Sequence, residues 1–336
     1  MKNKLNLSKE TLNQLKNYVR SNASRFLEDP NISSIGIGGK IKNGQRTHEG
    51  CLQFTVDQKS GPEVSLEELN SVEIPQNIKI GAVYISTDIV ERKYSLSYQL
   101  VKDIVVNKRK VKLDPILPGI SICNDKGTAG TLGCIVYDQH NNTPYVLSNW
   151  HVLHGNNGTI GDTIVQPGPY DDNRILQNKM GLLVRSYLGR AGDCAIATIE
   201  GRGYSEKIYK FDTSIENLCE PEYGDKVMKS GRTTNVTHGI VVRINVVSRI
   251  NYGGNMGVKE VGCFEIGLDK AYQPTNGEIS MGGDSGASWV IAKKGKPTGI
   301  MAGLHFAGET RDNPYEHALA CYPKSVFEKL EIKLKA

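Results

Sequence analysis

The stretch that decides the fold is Met281–Val290, MGGDSGASWV, in which one serine stands between small residues just before an apolar run. Two glycines precede Asp284 and Ser285, and Gly286 follows them, so the backbone can turn tightly around the serine. The segment is either a glycine-rich turn that enters a strand or the site of a nucleophile. The choice depends on whether the rest of the chain offers a base and a carboxylate in matching surroundings.

Length and composition favour an ordinary folded protein. The 336 residues exceed the usual size of one domain, which favours two domains or one two-lobed domain with an extension. Hydrophobic residues make up 38% and charged residues 23%, which is not typical of a disordered or fibrous chain. The formal charge of +5 is small, and the densest basic run, Lys108–Lys112, is short. We interpret that run as a solvated linker and expect no nucleic-acid partner.

Targeting signals and metal-ligand patterns are not evident. The amino-terminal residues include lysines but no apolar run of signal-peptide length, and no segment is long and apolar enough to span a bilayer. We therefore expect a cytoplasmic protein with no membrane partner. The seven cysteines are widely spaced and form no C-x-x-C pair, which indicates reduced and mostly buried side chains. No metal site and no cofactor is predicted.

Residues 1–112 predict a small α+β domain, to which we assign a partner-binding or regulatory role. Ser8 is a candidate N-cap, and apolar residues at three- and four-residue steps follow it as far as Pro30, which predicts an amphipathic helix. The basic, proline-flanked segment from Val101 to Leu117 is the candidate linker. The strands predicted after the helix are Ile32–Ile41, Cys51–Val56 and Ile78–Ile85.

Residues 113–336 have a different pattern, in which short β-branched runs alternate with turns rich in Gly, Asn and Asp. This pattern predicts an all-β sandwich or barrel, with helical periodicity returning only in the last stretch. The predicted strands are centred on Cys134–Val136, Tyr145–Leu147, Thr163–Val165, Cys194–Ile199, Gly239–Ile244 and Ser288–Ile291.

A histidine and an aspartate occur upstream of Ser285 in suitable settings. A serine becomes a nucleophile when an imidazole accepts its proton, a carboxylate fixes the imidazole tautomer and backbone N–H groups face the oxyanion. His151 directly follows a β-type run, and Asp193 opens a strand of small and apolar residues. The chain order is therefore His, Asp, Ser. An α/β-hydrolase would need the order Ser, acid, His and a G-x-S-x-G motif, whereas the fifth motif position here is Ala287.

The segments SNWHVL, GDCAIA and GGDSGAS, in this order, resemble those of chymotrypsin-fold, trypsin-like serine proteases. More narrowly, YVLSNWHVL, KSGRTT and GLHFAG are similar to the intracellular bacterial trypsin-like proteases that carry an N-terminal extension. The resemblance implies a mostly β, chymotrypsin-like double β-barrel with a C-terminal helix, preceded by the small α+β domain. It places barrel one at about 115–205, barrel two at about 220–322 and the helix at 324–332.

The resemblance also implies a role for each residue of the predicted triad. His151 would be the general base and acid, Asp193 its orienting carboxylate and Ser285 the acylated nucleophile. The backbone N–H groups of Gly283 and Ser285 would form the oxyanion hole, where glycine permits the required turn. We therefore expect a serine endopeptidase that cleaves a specific protein substrate through an acyl-enzyme. The alternative is a pseudoprotease, a protein-binding module whose site is blocked.

The substrate pocket is predicted from two segments around the nucleophile. In this fold a basic P1 preference needs an acid six residues before the serine, and that position is Ile279, although Glu278 is adjacent. The strand that includes Gly303 and His305 is expected to form the opposite wall. Its G-x-H-x-x-G motif resembles the strand that supplies a pocket histidine in glutamyl endopeptidases and viral 3C-type proteases. Because an imidazole can donate to a carboxylate or amide, we expect Glu or Gln at P1; the alternative is a histidine that only packs on the barrel.

The sequence also leads to expectations about how the protein is activated and which partners it has. In secreted relatives a new N-terminus pairs with the aspartate before the nucleophile, which here is Asp284. Leu117–Ser121 offers no evident processing site, so Asp284 is either satisfied locally or ordered by an activating protein partner. A protein encoded by a neighbouring gene is the expected type of substrate. The type of protein suggests a role in stress response or antiviral defence.

Overall fold

The computed structural model describes residues 5–96, 107–309 and 316–335. The first part of the predicted linker, residues 101–106, lies outside these ranges. All seven cysteines are free, and six of them are buried. Across the described ranges, no helix has both the length and the apolar character needed to cross a membrane.

The described part of the N-terminal region contains one helix and five strands. Helix α1 (Lys9–Leu27) begins after Ser8, whose Oγ accepts a hydrogen bond from Thr11 N at 3.0 Å, as an N-cap does. The strands are β1 (Ile32–Lys42), β2 (Gln45–Val56), β3 (Asn77–Ile80), β4 (Val83–Glu91) and β5 (Tyr94–Ser95). The predicted helix and first two strands are confirmed. The predicted third strand is instead a hairpin, because a turn at residues 81–82 reverses the chain between β3 and β4.

The basic run Lys108–Lys112 is not a solvated linker throughout. Arg109 is 1% exposed. Its guanidinium donates through Nη1 to Gly119 O and to Ser230 Oγ, both at 2.8 Å, and lies 4.8 Å from the centre of the Tyr209 ring. The interpretation of this run as solvated is therefore wrong at Arg109, because hydrogen bonds from Nη1 and the Tyr209 ring stabilise its charge inside the protein.

From residue 113 onwards the described chain is mostly β-structure. Its first elements are β6 (Ser121–Asn124), β7 (Gly130–Thr131), β8 (Cys134–Asp138), β9 (Pro144–Ser148), α2 (Trp150–Leu153), β10 (Thr163–Val165), α3 (Ile175–Asn178), β11 (Lys179–Gly189) and β12 (Gly192–Thr198). The later elements are β13 (Asn217–Leu218), β14 (Lys226–Gly231), β15 (Asn235–Asn251), β16 (Val258–Leu268), β17 (Ser288–Lys293), β18 (Lys296–Glu309), β19 (His317–Cys321), α4 (Pro323–Leu330) and β20 (Ile332–Lys333).

The first sheet has the order β20-β8-β9-β12-β11-β10-β6-β7. Apolar side chains such as Val146 and Ile164 fill its interior. Leu147 and Ile196 of the same sheet pack in a second apolar cluster, so apolar residues are buried on both faces of these strands. Strands β9 and β12 are antiparallel neighbours, with Ser148 opposite Ala195. This register brings the residues that follow β9 beside the first residues of β12.

The second barrel is a closed ring of six strands. Its order is β14-β17-β18-β19-β16-β15, and β15 pairs back with β14. Trp289, Phe264 and Val227 are among the side chains buried in its core. Together with the first sheet and α4, this ring confirms the mostly β, double-barrel architecture with a C-terminal helix.

The N-terminal strands extend the sheet of the second barrel. One edge of β15 pairs first with β14 and then with β1, where Ser34 lies opposite Ser248 and Ile37 opposite Ile244. The sheet then continues through β2, β4 and β3. The buried face of α1 packs into the same apolar core as barrel two, so the two regions share one core.

Candidate active site

The three residues of the predicted triad come from both barrels. His151 lies in α2, the single helical turn that follows β9, and Asp193 is the second residue of β12. Ser285 lies in the turn that precedes β17 of the closed barrel. The site is therefore built where the two barrels meet.

His151 and Asp193 form a close, buried pair. His151 Nδ1 lies 2.6 Å from Asp193 Oδ2, and the His151 backbone N–H donates to Asp193 Oδ1 at 3.2 Å. The Asp193 side chain is fully buried and that of His151 is 8% exposed. A carboxylate beside Nδ1 favours the tautomer with the proton on Nδ1, which leaves Nε2 free to accept a proton.

Three further groups hold Asp193, and none of them was predicted from the sequence. The Tyr252 hydroxyl donates to Asp193 Oδ2 at 2.8 Å, and Asn149 Nδ2 donates to Asp193 O at 2.7 Å. The backbone N–H of Asp193 donates to Cys321 Sγ at 3.3 Å. Tyr252 is 59 positions from Asp193 in the chain, and no motif marks it.

The turn of Ser285 is shaped by glycines and packs against the strand that leads to His151. Gly283 has φ of +93° and Gly286 has φ of +94°, a region that favours glycine. A Cβ on Gly286 would lie 2.1 Å from Ser148 Oγ, three residues before His151. Ser285 is 5% exposed, and its hydroxyl contacts Phe306 O at 3.5 Å rather than His151. In serine proteases without bound substrate, the hydrogen bond between the serine hydroxyl and the histidine is often long.

The backbone around Ser285 leaves the predicted oxyanion donors unused. Thr131 of barrel one donates from its N–H to Ser285 O and from its hydroxyl to Gly283 O, both at 2.7 Å. Within the described ranges neither Gly283 N nor Ser285 N donates to a protein acceptor. These two N–H groups can therefore serve a ligand oxygen.

Asp284 is satisfied locally, which is the first of the two alternatives that the sequence left open. Its buried carboxylate accepts from Lys229 Nζ at 3.0 Å, Thr234 Oγ1 at 2.6 Å and the backbone N–H groups of Thr233, Thr234 and Met281 at 2.8–3.1 Å. Burial would raise the pKa of Asp284, but Lys229 and the Thr234 hydroxyl lower it to about 2. Burial lowers the pKa of the Lys229 ammonium, and the Asp284 charge opposes that shift. Five donors fix the carboxylate as an anion, and the anion favours charged Lys229.

The predicted pocket residues have different surroundings. Ile279 is 0% exposed and lies in the apolar core of barrel two. Gly303 is buried in β18, opposite Trp289. His305 is 2% exposed, and Trp289 Nε1 lies 3.5 Å from its Nδ1. Because an indole can only donate, Nδ1 is the acceptor and neutral His305 carries its proton on Nε2.

Two carboxyl groups, those of Glu278 and Glu316, lie near the nucleophile turn, and no sequence motif marks Glu316. Glu316 is 6% exposed and accepts a hydrogen bond from Ser280 Oγ at 3.2 Å, five positions before Ser285. Burial, and then the nearby charge of Glu278, raises the pKa of the Glu316 carboxyl. The raised pKa favours the protonated, uncharged form of the Glu316 carboxyl.

The buried His305 predicts a pH-dependent stability. Burial, and then the charge of Lys229, lowers the pKa of His305 to about 3. Because this value is below the roughly 6.5 of an unfolded histidine, its contribution is complete above pH 6.5 and is lost as the pH falls from there towards 3, by about 1.4 kcal/mol per pH unit. Between pH 6.5 and 5 the wild type should therefore lose about 2 kcal/mol more than His305→Gln in urea unfolding. Equal losses in the two proteins would contradict the prediction.

Comparisons with known proteins find a likeness to solved structures only. No protein-family model and no curated protein matches the chain. A glutamic acid specific serine protease, described as using a histidine triad in substrate binding, is 16% identical, with a TM-score of 0.47 over 66% of this chain and 100% of that chain. Nocardiopsis protease is 14% identical, with a TM-score of 0.48 over 66% and 99% of the two chains. Thermobifida fusca protease A is 15% identical, with a TM-score of 0.46 over 65% and 97%. Because these identities and TM-scores are low, only the residues of this chain bear on the chemistry of the site.

Proposed function

We propose that this chain is a serine endopeptidase that cleaves a protein substrate through an acyl-enzyme on Ser285. The observation that carries the proposal is the buried 2.6 Å contact between His151 Nδ1 and Asp193 Oδ2. The glycine-bounded turn of Ser285 packs against the strand that leads to that histidine. These are the surroundings in which a serine hydroxyl becomes a nucleophile.

In the proposed reaction, His151 Nε2 takes the proton of Ser285 Oγ as Oγ attacks the scissile carbonyl carbon. The N–H groups of Gly283 and Ser285 stabilise the negative oxygen of the tetrahedral intermediate. Its collapse breaks the C–N bond, and the leaving amine takes the proton from His151. A water molecule, deprotonated by the same imidazole, then attacks the ester and releases the carboxylic acid and free Ser285.

The experiment is digestion of a peptide library, with products identified by mass spectrometry. The wild type should produce new termini, and Ser285→Ala, a variant of similar volume, should produce none. Identical product patterns from both proteins would contradict the proposed activity. Unfolding curves of the two proteins, recorded in parallel, show whether the substitution alters the fold.

For the P1 residue we propose glutamine ahead of glutamate. Support comes from the neutral His305, whose Nε2–H can donate to a side-chain carbonyl but brings no positive charge. The charge of Glu278, which raises the pKa of the nearby Glu316 carboxyl, disfavours a second anion near the nucleophile turn.

In peptides that differ only at P1, kcat/KM for Gln should therefore exceed that for Glu by about tenfold, which corresponds to roughly 1.4 kcal/mol. Two results would contradict the proposal. Cleavage after Lys or Arg would show that the acidic groups bind a cation, and cleavage after large apolar residues alone would show that His305 does not contact the substrate.

The proposal extends to regulation in the cytoplasm by a protein partner that binds the N-terminal region, with a neighbouring gene product as substrate in stress response or antiviral defence. The pairing of β1 with β15 supports a connection between the N-terminal region and the active site. Strand β15 ends at Asn251, next to Tyr252, whose hydroxyl contacts Asp193. The local pairing of Asp284 favours a site that is formed before any partner binds. The test is co-expression with the adjoining gene product, in which cleavage should require Ser285.

A further inference from the structure

A buried tyrosine from barrel two reaches the orienting carboxylate of barrel one. Tyr252 follows the last residue of β15, in the hairpin that leads to β16. Its hydroxyl donates to Asp193 Oδ2 at 2.8 Å, and this is the oxygen that also lies 2.6 Å from His151 Nδ1. Tyr252 is 2% exposed and Asp193 is 0% exposed, so water does not readily replace this hydrogen bond.

The position of the Tyr252 ring is fixed from several directions. The ring lies edge-on to Trp150, with centroids 6.0 Å apart, and 6.3 Å from the His151 ring. Its backbone carbonyl accepts from Asn156 Nδ2 at 2.7 Å, which fastens the hairpin to the loop that follows His151. The backbone N–H of Tyr252 donates to Gly257 O at 2.8 Å and closes the hairpin itself. The hydroxyl is therefore held at a defined point with respect to Asp193.

The hydrogen bonds of the Asp193 carboxylate show what the hydroxyl contributes. Asp193 Oδ1 accepts a hydrogen bond from His151 N. Asp193 Oδ2 accepts hydrogen bonds from both His151 Nδ1 and the Tyr252 hydroxyl. Two of the three donors therefore belong to the residue that Asp193 has to orient. Among the described residues, Tyr252 is the donor to this carboxylate that comes from outside His151, so it sets the position of Oδ2 independently of His151.

We propose that Tyr252 is a positioning residue of the active site, which holds Asp193 Oδ2 where it keeps the His151 proton on Nδ1; the inference rests on the proposed serine-protease function. The contact also crosses the junction of the barrels. His151 and Asp193 belong to the part of the chain that forms the first sheet, whereas Tyr252 and Ser285 belong to the part that forms the second barrel. The hydroxyl thereby helps to align the base with the nucleophile.

The test compares two tyrosine-to-phenylalanine variants of the full chain. Tyr252→Phe removes the hydroxyl on Asp193. Tyr322→Phe is the matched control, because Tyr322 is also partly enclosed and its hydroxyl accepts from Asn245 N of β15 at 2.7 Å. The measurement is the rate at which a fluorophosphonate labels Ser285, as a function of pH.

Tyr252→Phe should label about 10- to 100-fold more slowly, which is the size expected when a hydrogen bond to a charged group is lost. The acid limb of its pH profile should move to higher pH, because a carboxylate with one donor fewer stabilises a protonated imidazole more strongly. Tyr322→Phe should label at the wild-type rate with an unchanged pH profile. Wild-type labelling and an unchanged profile in Tyr252→Phe would overturn the inference.

A second readout separates this inference from the proposed function. The downfield proton resonance of His151 Nδ1–H, bound to Asp193, is measured by NMR in the wild type and in both variants. If the wild type does not label, the proposed function fails, and this resonance still decides the role of Tyr252. Its displacement in Tyr252→Phe and not in Tyr322→Phe supports the positioning role, and an unmoved resonance overturns it.

Discussion

Asp193→Asn should lower kcat/KM by about 10⁴-fold while leaving the fold intact. The amide has nearly the same shape as the carboxylate, but its NH₂ group can donate to His151 Nδ1. The imidazole then carries its proton on Nε2, where it can no longer accept the proton of Ser285. The measurement is cleavage of the best peptide found in the library.

The matched control for this variant is Asp138→Asn. Asp138 is also a buried carboxylate of barrel one, but it accepts from Arg185 at 2.7 Å and from the backbone of its own turn. That variant should lose stability and keep its kcat/KM. A decrease of less than tenfold in Asp193→Asn would show that Asp193 does not orient the base.

The second large effect is expected at the buried ion pair beneath the nucleophile turn. Lys229→Met should lower the free energy of unfolding by about 3–5 kcal/mol, because it leaves the Asp284 charge buried without its cation. It should also slow labelling of Ser285, since Asp284 is the neighbour of the nucleophile and accepts from Met281 N across the same turn. Urea unfolding and labelling rates measure the two effects.

Two further variants test the cause of that loss. Lys226→Met, on the same strand β14, removes a lysine that is 47% exposed and paired with Asp269, and it should cost no more than about 1 kcal/mol. Lys229→Met combined with Asp284→Asn removes both buried charges, so it should recover part of the stability that the single variant loses. Equal stability of Lys229→Met and Lys226→Met would contradict a structural role for the buried pair.

Local sequence patterns predicted many of the secondary-structure elements and singled out His151 and Asp193, which lie in contact in the structure. The N-cap of Ser8 and the strand preference of the short β-branched runs arise from interactions within each segment. The structure has the helix and the strands at these positions. His151 and Asp193 were recognised from their order and from the strands beside them, and the register of β9 with β12 brings them together.

The residues that support the site could not be predicted, because their partners are remote in the chain. Lys229 pairs with Asp284, which is 55 positions away in the chain. Tyr252 contacts Asp193 only because the two barrels pack together. Arg109 was misjudged for a related reason. A basic run gives no sign of which one of its side chains will enter the interior, and here that depends on Gly119, Ser230 and Tyr209.

The most direct test of the central claim is the site of fluorophosphonate labelling, located by mass spectrometry of the digested protein. The proposed triad requires one adduct, on Ser285, and its loss in His151→Ala, because the hydroxyl needs the imidazole as its base. An unlabelled wild type would favour the alternative of a protein-binding module with a blocked site. Labelling of Ser285 at the same rate in wild type and His151→Ala would contradict the proposed base.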